Sequence, residues 1–150
     1  MADKKEVFKE LLKHMYRVNP KARGDLSNCI TVGEGWYGII LEAHELLLKI
    51  DLNYEMRYIK EKYAVMELWA NPSENTDVLF RKMNQVSDWA RDVSATTCEL
   101  CGAKESHMCK IDDWEKIYCD KCIDALIATK GLVEEPRPRT RILHTSRLNS

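Results

Sequence analysis

The chain has 150 residues, which is enough for one domain with its own hydrophobic core or for a domain with a small appended module. Hydrophobic residues make up 45% and charged residues 31%, as in ordinary globular proteins, and the lack of an apolar run of about 18 residues argues against a transmembrane helix. The net charge of −1 combines basic ends with an acidic middle. The charged N-terminus does not resemble a secretory signal, so we expect a cytoplasmic protein whose paired cysteines bind metal rather than form disulfides.

The first third of the chain contains helical and extended patterns. Apolar residues at helical spacing predict a helix over residues 4–16, which an Asn-Pro pair ends. A loop is predicted over residues 21–25, and the apolar, β-branched segment 29–32 predicts a short strand. A second helix is predicted over residues 36–50.

The segment TVGEGWYGII places two glycines before this second helix and two aromatic residues at its start. In one interpretation, Gly33 and Gly35 form a helix-initiating turn that packs Trp36 in the core. In the other, free N–H groups there hold an anion while Trp36 and Tyr37 stack on a base. The segment has neither a G-x-G-x-x-G motif nor a Walker lysine, so packing in the core is favoured.

The middle of the chain continues with an extended pattern and a long helix. β-branched and aromatic residues predict a strand over residues 58–70, either continuous or broken near Tyr63 into a hairpin. An Asn-Pro-Ser turn follows, and we expect Ser73 or Asn75 to cap a helix over residues 74–94.

Four cysteines form two Cys-x-x-Cys pairs separated by 17 residues, Cys98 with Cys101 and Cys119 with Cys122. This separation lies in the range expected for a four-cysteine zinc site. Each pair can turn two thiolates toward one tetrahedral ion, and Gly102 supplies a permissive backbone for the first turn. Because four thiolates leave no open coordination position, we predict one structural Zn²⁺ per chain.

The residues around these pairs predict the shape of the module. The intervening segment can form a β-hairpin whose Trp114 and Ile117 cover the metal, and a short helix closed by Gly131 should follow the second pair. A treble-clef zinc finger has its first ligand pair on a tight backbone turn, then a hairpin, and then its second pair on the first turn of a helix. A zinc ribbon would instead place the second pair on another hairpin. His107 or Cys109 could replace a ligand, but we expect both to be loop residues outside the metal shell.

Together these elements predict an α+β fold that is mainly helical, with a short strand or hairpin and a C-terminal treble-clef-like zinc finger. We expect an α+β body over residues 1–94 and a four-cysteine zinc module over residues 95–131. The prolines and four arginines of residues 132–150 predict a basic, flexible tail.

The arrangement of charged and nucleophilic residues bears on the class of function. We identify no catalytic arrangement in the sequence, whether a paired-carboxylate acid–base site, a Ser-His-Asp triad or a Cys-His pair. We therefore expect no enzymatic activity. Residues 98–130 hold five Lys against seven Asp and Glu, which opposes binding of phosphate groups by the zinc module. The basic ends, residues 1–23 and 131–150, keep nucleic-acid binding open as an alternative.

Three segments resemble, in their order along the chain, a family of small and mostly uncharacterised phage and prophage proteins. They are GEGWYGIILEAHELL, IKEKYAVMELWA, and the pair SATTCELCGAKES with WEKIYCDKC. The resemblance covers about residues 33–122 and implies a phage-encoded protein in the cytoplasm of a bacterial host cell. It implies no known reaction, but small accessory phage proteins often bind and redirect host factors, including defence proteins.

The leading hypothesis is therefore a non-enzymatic, zinc-binding accessory protein that binds and modulates a host protein, with defence evasion as its expected role. One alternative is nucleic-acid binding through the basic termini. Another is the sequestering of a nucleotide signal at Trp36 and Tyr37, beside Gly33 and Gly35. No membrane partner is expected.

Overall fold

The computed structural model describes residues 2–15, 26, 28–136 and 140–146. Within these residues the chain forms an α+β fold of four α-helices and two β-sheets. Besides strands in the regions predicted near residues 29–32, over residues 58–70 and between the cysteine pairs, the fold contains two C-terminal strands that we did not predict. The predicted loop over residues 21–25 lies outside the described residues.

Three α-helices belong to the first part of the chain. The Thr76 hydroxyl caps the third helix by accepting a hydrogen bond from the Leu79 N–H at 3.3 Å. This helix therefore begins later than predicted, and neither Ser73 nor Asn75 is its cap, because Ser73 instead donates its N–H to the Asp51 carboxylate at 2.7 Å. The elements are α1 (Lys4–Leu11) with a following 3-10 turn (Leu12–His14), a 3-10 turn (Glu34–Trp36) before α2 (Tyr37–Ile50), and α3 (Asp77–Ser94).

The first sheet has three strands. They are β1 (Ile30–Thr31), β2 (Glu55–Lys62) and β3 (Val65–Asn71), in this order across the sheet. β1 runs parallel to β2, and β2 and β3 form an antiparallel hairpin. Tyr63 (φ 53°) and Ala64 (φ 71°) both adopt the left-handed conformation of a two-residue hairpin turn, so the extended region is broken at Tyr63.

A hydrophobic core lies between this sheet and the helices. Met66 and Leu68 on β3 point into the core, whereas Trp69 faces outward. Helix α3 also covers the edge of β3, since the Ser94 hydroxyl accepts from the Met66 N–H at 2.8 Å and the Ser87 hydroxyl donates to the Leu68 carbonyl at 2.9 Å. The outer face of the hairpin, rather than its edge, is therefore left open.

The second sheet lies in the C-terminal part of the chain, where its strands have the order β5-β4-β7-β6. β4 and β5 form the hairpin predicted between the two cysteine pairs. The helix predicted after the second pair ends at Gly131, which has the left-handed φ of 63°. The elements are β4 (His107–Ile111), β5 (Trp114–Tyr118), α4 (Asp120–Lys130), β6 (Val133–Glu134) and β7 (Arg141–His144).

The prediction of a flexible tail over residues 132–150 is wrong for β6 and β7, which complete this second sheet. β7 pairs in parallel with β4 and antiparallel with β6. The Arg141 guanidinium joins these elements, because it donates to Glu134 at 2.5 and 2.7 Å and to Asp120 and Asp124 on α4 at 3.1 and 2.9 Å. Arg141, which we predicted to lie in a flexible tail, therefore holds β7 against β6 and α4.

Candidate metal centre

The four predicted ligands come together in space. Their sulfur atoms all lie within 4.8 Å of one another, and those of Cys101 and Cys119 are 3.6 Å apart. A tetrahedral ion with Zn–S bonds of about 2.3 Å holds its sulfurs about 3.8 Å apart. A disulfide needs about 2.05 Å between sulfurs, and all four cysteines are free. The cluster, formed by Cys98, Cys101, Cys119 and Cys122, therefore has the size of a four-thiolate metal shell.

A tight backbone turn over residues 98–102, which we call the knuckle, presents the first pair. The Cys98 carbonyl accepts from the Gly102 N–H at 2.8 Å, and the Cys98 N–H donates to the Ala103 carbonyl at 2.9 Å. Gly102 has a φ of 82°, a left-handed value that residues with a side chain rarely adopt. The predicted role of this glycine in the turn is confirmed.

The N-terminus of α4 presents the second pair. Cys119 is the N-cap of the helix, and its sulfur accepts from the Cys122 N–H at 3.4 Å. Cys122 follows in the first turn, where the helix dipole favours negative charge. The helix N-terminus therefore favours the thiolate form of Cys119, the form that metal binding requires.

The thiols of the cluster differ in acidity. Burial raises the pKa of Cys122, and the neighbouring thiols raise it further. Burial also acts to raise the pKa of Cys119, but hydrogen bonds from Cys122, Cys101 and Cys98 outweigh it, so the pKa of Cys119 is lowered. Cys119 therefore becomes a thiolate more readily than Cys122.

The segment 33–37 packs directly against the knuckle. The Gly35 N–H donates to the Glu99 carbonyl at 2.8 Å, and the Gly33 N–H donates to the Glu99 carboxylate at 2.9 Å. A Cβ atom on Gly35 would lie 2.1 Å from the Cys98 carbonyl oxygen, and one on Gly33 would lie 2.4 Å from the Glu99 carbonyl oxygen. Both positions therefore require glycine, because the two backbones approach each other closely.

Trp36 and Tyr37 do not form an open ligand site. Trp36 is 0% exposed and donates its Nε1–H to the Thr97 carbonyl at 2.8 Å, and Tyr37 is also buried. The prediction that Trp36 packs in the core is confirmed. The alternative, in which a base stacks on these rings while Gly33 and Gly35 hold an anion, is wrong because the rings are buried and both N–H groups bond to Glu99.

A buried carboxyl group lies at the same contact. Burial raises the pKa of Glu99, whereas the Gly33 N–H and the Lys116 ammonium lower it and the Glu61 carboxylate raises it. Lys116 on β5 in turn pairs with Glu61 on β2 at 2.8 Å. The cysteine module is thus joined to the first sheet by an ion pair as well as by the glycine contact. Sequence reasoning did not identify Glu99 or Lys116.

The other residues considered for the metal shell lie elsewhere. His107 and Cys109 are on β4 rather than in a loop, and neither belongs to the four-cysteine cluster found among the described residues. Cys109 is buried in a small apolar cluster, and burial raises the pKa of its thiol to about 11. Ile117 is buried as predicted, but Trp114 is 72% exposed, so the prediction that Trp114 covers the metal is wrong.

Comparisons with known proteins identify no relative of this chain: no protein-family model, no curated protein and no solved structure matches it. In the part of the chain that the structure describes, no helix combines the length and apolar character needed to cross a membrane. Function must therefore be inferred from the geometry of the residues.

Proposed function

We propose that the four cysteines bind one zinc ion and that this ion is structural. The observation that supports the proposal is the cluster of four thiols at the spacing of a metal–thiolate shell. Tetrahedral sulfur ligation suits zinc or iron. Four thiolates also complete the shell, so that no position remains for a substrate or an activated water.

We assign a treble-clef-like arrangement to this module. The first pair of ligands lies on the knuckle, β4 and β5 form a hairpin between the pairs, and the second pair lies at the start of α4. A zinc ribbon would carry its second pair on a further hairpin. The position of Cys119 and Cys122 on a helix therefore supports the treble clef.

For the protein as a whole, we propose a non-enzymatic binding function. The resemblance of the GEGW, KEKY and four-cysteine segments to small phage proteins supports a phage-encoded accessory protein that acts on a host protein, in the cytoplasm of the bacterial host and against host defence. The acidic balance of residues 98–130 favours a protein rather than a nucleic acid as the partner of the zinc module.

The two alternatives have less support. Sequestering of a nucleotide signal lacks an open site, because Trp36 and Tyr37 are buried. Nucleic-acid binding through the C-terminal arginines could not use Arg141, because its guanidinium already pairs with three carboxylates. The arginines at 137, 139 and 147 lie outside the described residues.

Metal analysis of the freshly purified full chain tests the zinc proposal. We expect about one zinc per chain, and we expect Cys119→Ser to lose the ion and to melt at a lower temperature, because metal binding and folding of such modules are coupled. The matched control is Cys109→Ala, which removes a thiol outside the shell and should keep the zinc. Less than about half an equivalent of metal, or iron in place of zinc, would contradict the proposal.

Capture from a lysate of the bacterial host tests the proposed partner. A host protein identified by mass spectrometry should bind again as a purified protein to the zinc-loaded chain and to Cys109→Ala. It should bind Cys119→Ser much more weakly, because loss of the ion destabilises the zinc module. Failure to capture and reconstitute any host protein, or binding that is unaffected by loss of zinc, would count against the proposal.

A further inference from the structure

Three aromatic side chains lie on the outer face of the β2–β3 hairpin, away from the core. Tyr58 and Trp69 are opposite each other on the two strands, with ring centroids 5.4 Å apart and rings nearly perpendicular. Tyr63 lies at the tip of the hairpin. Trp69 is 48% exposed and Tyr63 is 80% exposed, so the face presents large rings to solvent.

A cation lies over each of these three rings. The pairs are Arg57 over Trp69 at 5.4 Å, Lys60 over Tyr58 at 4.5 Å, and Lys62 over Tyr63 at 5.9 Å. Such contacts hold positive charge close to the aromatic surface. The face therefore offers flat rings and positive charge within the same few residues.

A groove of about 590 Å³ runs from this face to helix α3. Its acidic groups are both paired: the Glu67 carboxylate lies 3.4 Å from Lys60 and 3.9 Å from Lys62, and Asp88 pairs with Arg91 at 3.0 Å. The face and the groove together carry two carboxylates and four cations. The carboxylates are Glu67 and Asp88, and the cations are Arg57, Lys60, Lys62 and Arg91. This positive surface contrasts with the acidic zinc module.

The turn at the tip carries an unusual residue for its conformation. Tyr63 and Ala64 both have positive φ values, which Asn and Gly adopt with less strain. The strained turn nevertheless presents the most exposed of the three rings. Strain of this kind is found at functional sites, where the side chain serves binding rather than stability.

We propose that the outer face of the β2–β3 hairpin and its groove bind single-stranded nucleic acid. Unpaired bases can stack on exposed aromatic rings, and phosphates are attracted to cations beside those rings. Paired bases already stack on one another, so a duplex cannot use the rings in the same way. This activity goes beyond the proposed binding of a host protein and uses a different surface from the zinc module.

Fluorescence anisotropy tests the proposal on the full, zinc-loaded chain. The probes are labelled single-stranded oligo(dT) and oligo(rU), each about 20 nucleotides long. Both oligonucleotides are expected to bind more tightly than a duplex of the same length. If three or four phosphates are neutralised, affinity should fall roughly 20- to 50-fold between about 50 and 200 mM salt. Failure to bind at about 50 mM salt, or equal binding of the duplex, overturns the proposal.

Two variants separate binding from folding. Trp69→Ala should weaken binding about fivefold or more, as expected for loss of one stacked base. Trp114→Ala is the matched control, since it removes an exposed tryptophan from the other sheet, and it should bind like the native chain. Equal loss of affinity in both variants would contradict a specific face.

Tyr63→Asn gives the sharper result, because asparagine suits the left-handed turn but cannot stack as a phenol ring does. We expect its affinity to fall while its melting temperature stays the same or rises. Glu67→Gln removes the carboxylate between Lys60 and Lys62 and should tighten binding. Unchanged binding in Tyr63→Asn, weaker binding in Glu67→Gln, or displacement of the oligonucleotide by an equal charge of polyglutamate would refute single-strand recognition.

Discussion

At the residue scale, two glycines connect distant parts of the chain. Gly33 and Gly35 precede α2, yet their N–H groups bond to Glu99 inside the knuckle. A methyl group at Gly35 would overlap the Cys98 carbonyl oxygen. The motif GEGW is therefore explained by the close approach of two backbones rather than by a ligand.

Gly35→Ala should separate α2 from the knuckle. Overpacking of a tight contact typically costs about 1–3 kcal/mol, and we expect a lower free energy of unfolding together with weaker zinc retention against a chelator. Gly38→Ala is the matched control, because a Cβ there has open space in α2 and alanine favours the helix by up to about 1 kcal/mol. Urea unfolding of both variants checks the prediction, and equal stabilities would contradict it.

His44 contributes a pH dependence to the same core. Its Nδ1 lies 2.5 Å from the Tyr54 hydroxyl, and its ring is 5.1 Å from that of His14. Burial lowers the pKa of His44, and His14 lowers it further, while Glu10 and Glu45 raise it. The folded chain therefore binds this proton less readily than the unfolded chain, in which histidine has a pKa of about 6.5.

Stability should accordingly be constant near neutral pH and should fall as the pH drops below about 6.5, because the unfolded state then takes up more protons. His44→Phe removes this titration and should flatten the decline. Because low pH also protonates the zinc ligands, the informative quantity is the difference in unfolding free energy between the two proteins at about pH 5.5 and 7.5. Parallel curves for the native and variant proteins would show that His44 makes no such contribution.

At the element scale, the sequence predicted those elements that show a periodic apolar pattern or a characteristic residue spacing. The helices follow from apolar periodicity and the four-cysteine cluster from cysteine spacing. For residues 58–70 the pattern predicted extended chain but left a continuous strand and a hairpin broken near Tyr63 both open. β6 and β7 have two and four residues, too few to show a period, and their arginine suggested a solvated tail. The contact between GEGW and the knuckle joins segments more than 60 residues apart, so no local pattern could predict it.

The Arg141 side chain connects β7 to β6 and to α4. Arg141→Met keeps the length of the side chain but removes its bonds to Glu134, Asp120 and Asp124. Because these carboxylates are partly or largely exposed, we expect a loss of only about 1–2 kcal/mol. The loss should appear as faster amide exchange in β7, whereas Arg81→Met on the exposed side of α3 should have no effect there.

At the scale of the whole molecule, the four-cysteine module is in direct contact with the segment before α2 and with the first sheet. Trp36 reaches the Thr97 carbonyl, Gly35 reaches Glu99, and Lys116 pairs with Glu61. A zinc ion that holds the knuckle would thus also hold the start of α2. The open β2–β3 face lies on the other side of the sheet from the core, and of these contacts only the Lys116–Glu61 ion pair reaches the hairpin.

Removal of zinc by a chelator should therefore loosen a defined part of the molecule. We expect amide exchange to accelerate in β4 and β5, which belong to the zinc module. It should also accelerate at Gly33 and Gly35, because their N–H groups donate to Glu99 in that module. Exchange in the β2–β3 hairpin should change less. Uniform acceleration along the chain would indicate global unfolding, and no change at the two glycines would show that the metal module and α2 are not coupled.

The proposal of a structural zinc site is tested most directly by X-ray absorption at the zinc edge on the purified full chain. Four thiolates predict a single shell of four sulfur atoms at about 2.3 Å from the ion. A shell that includes nitrogen or oxygen at about 2.0 Å, or a sample that contains no zinc, would contradict a closed four-cysteine site.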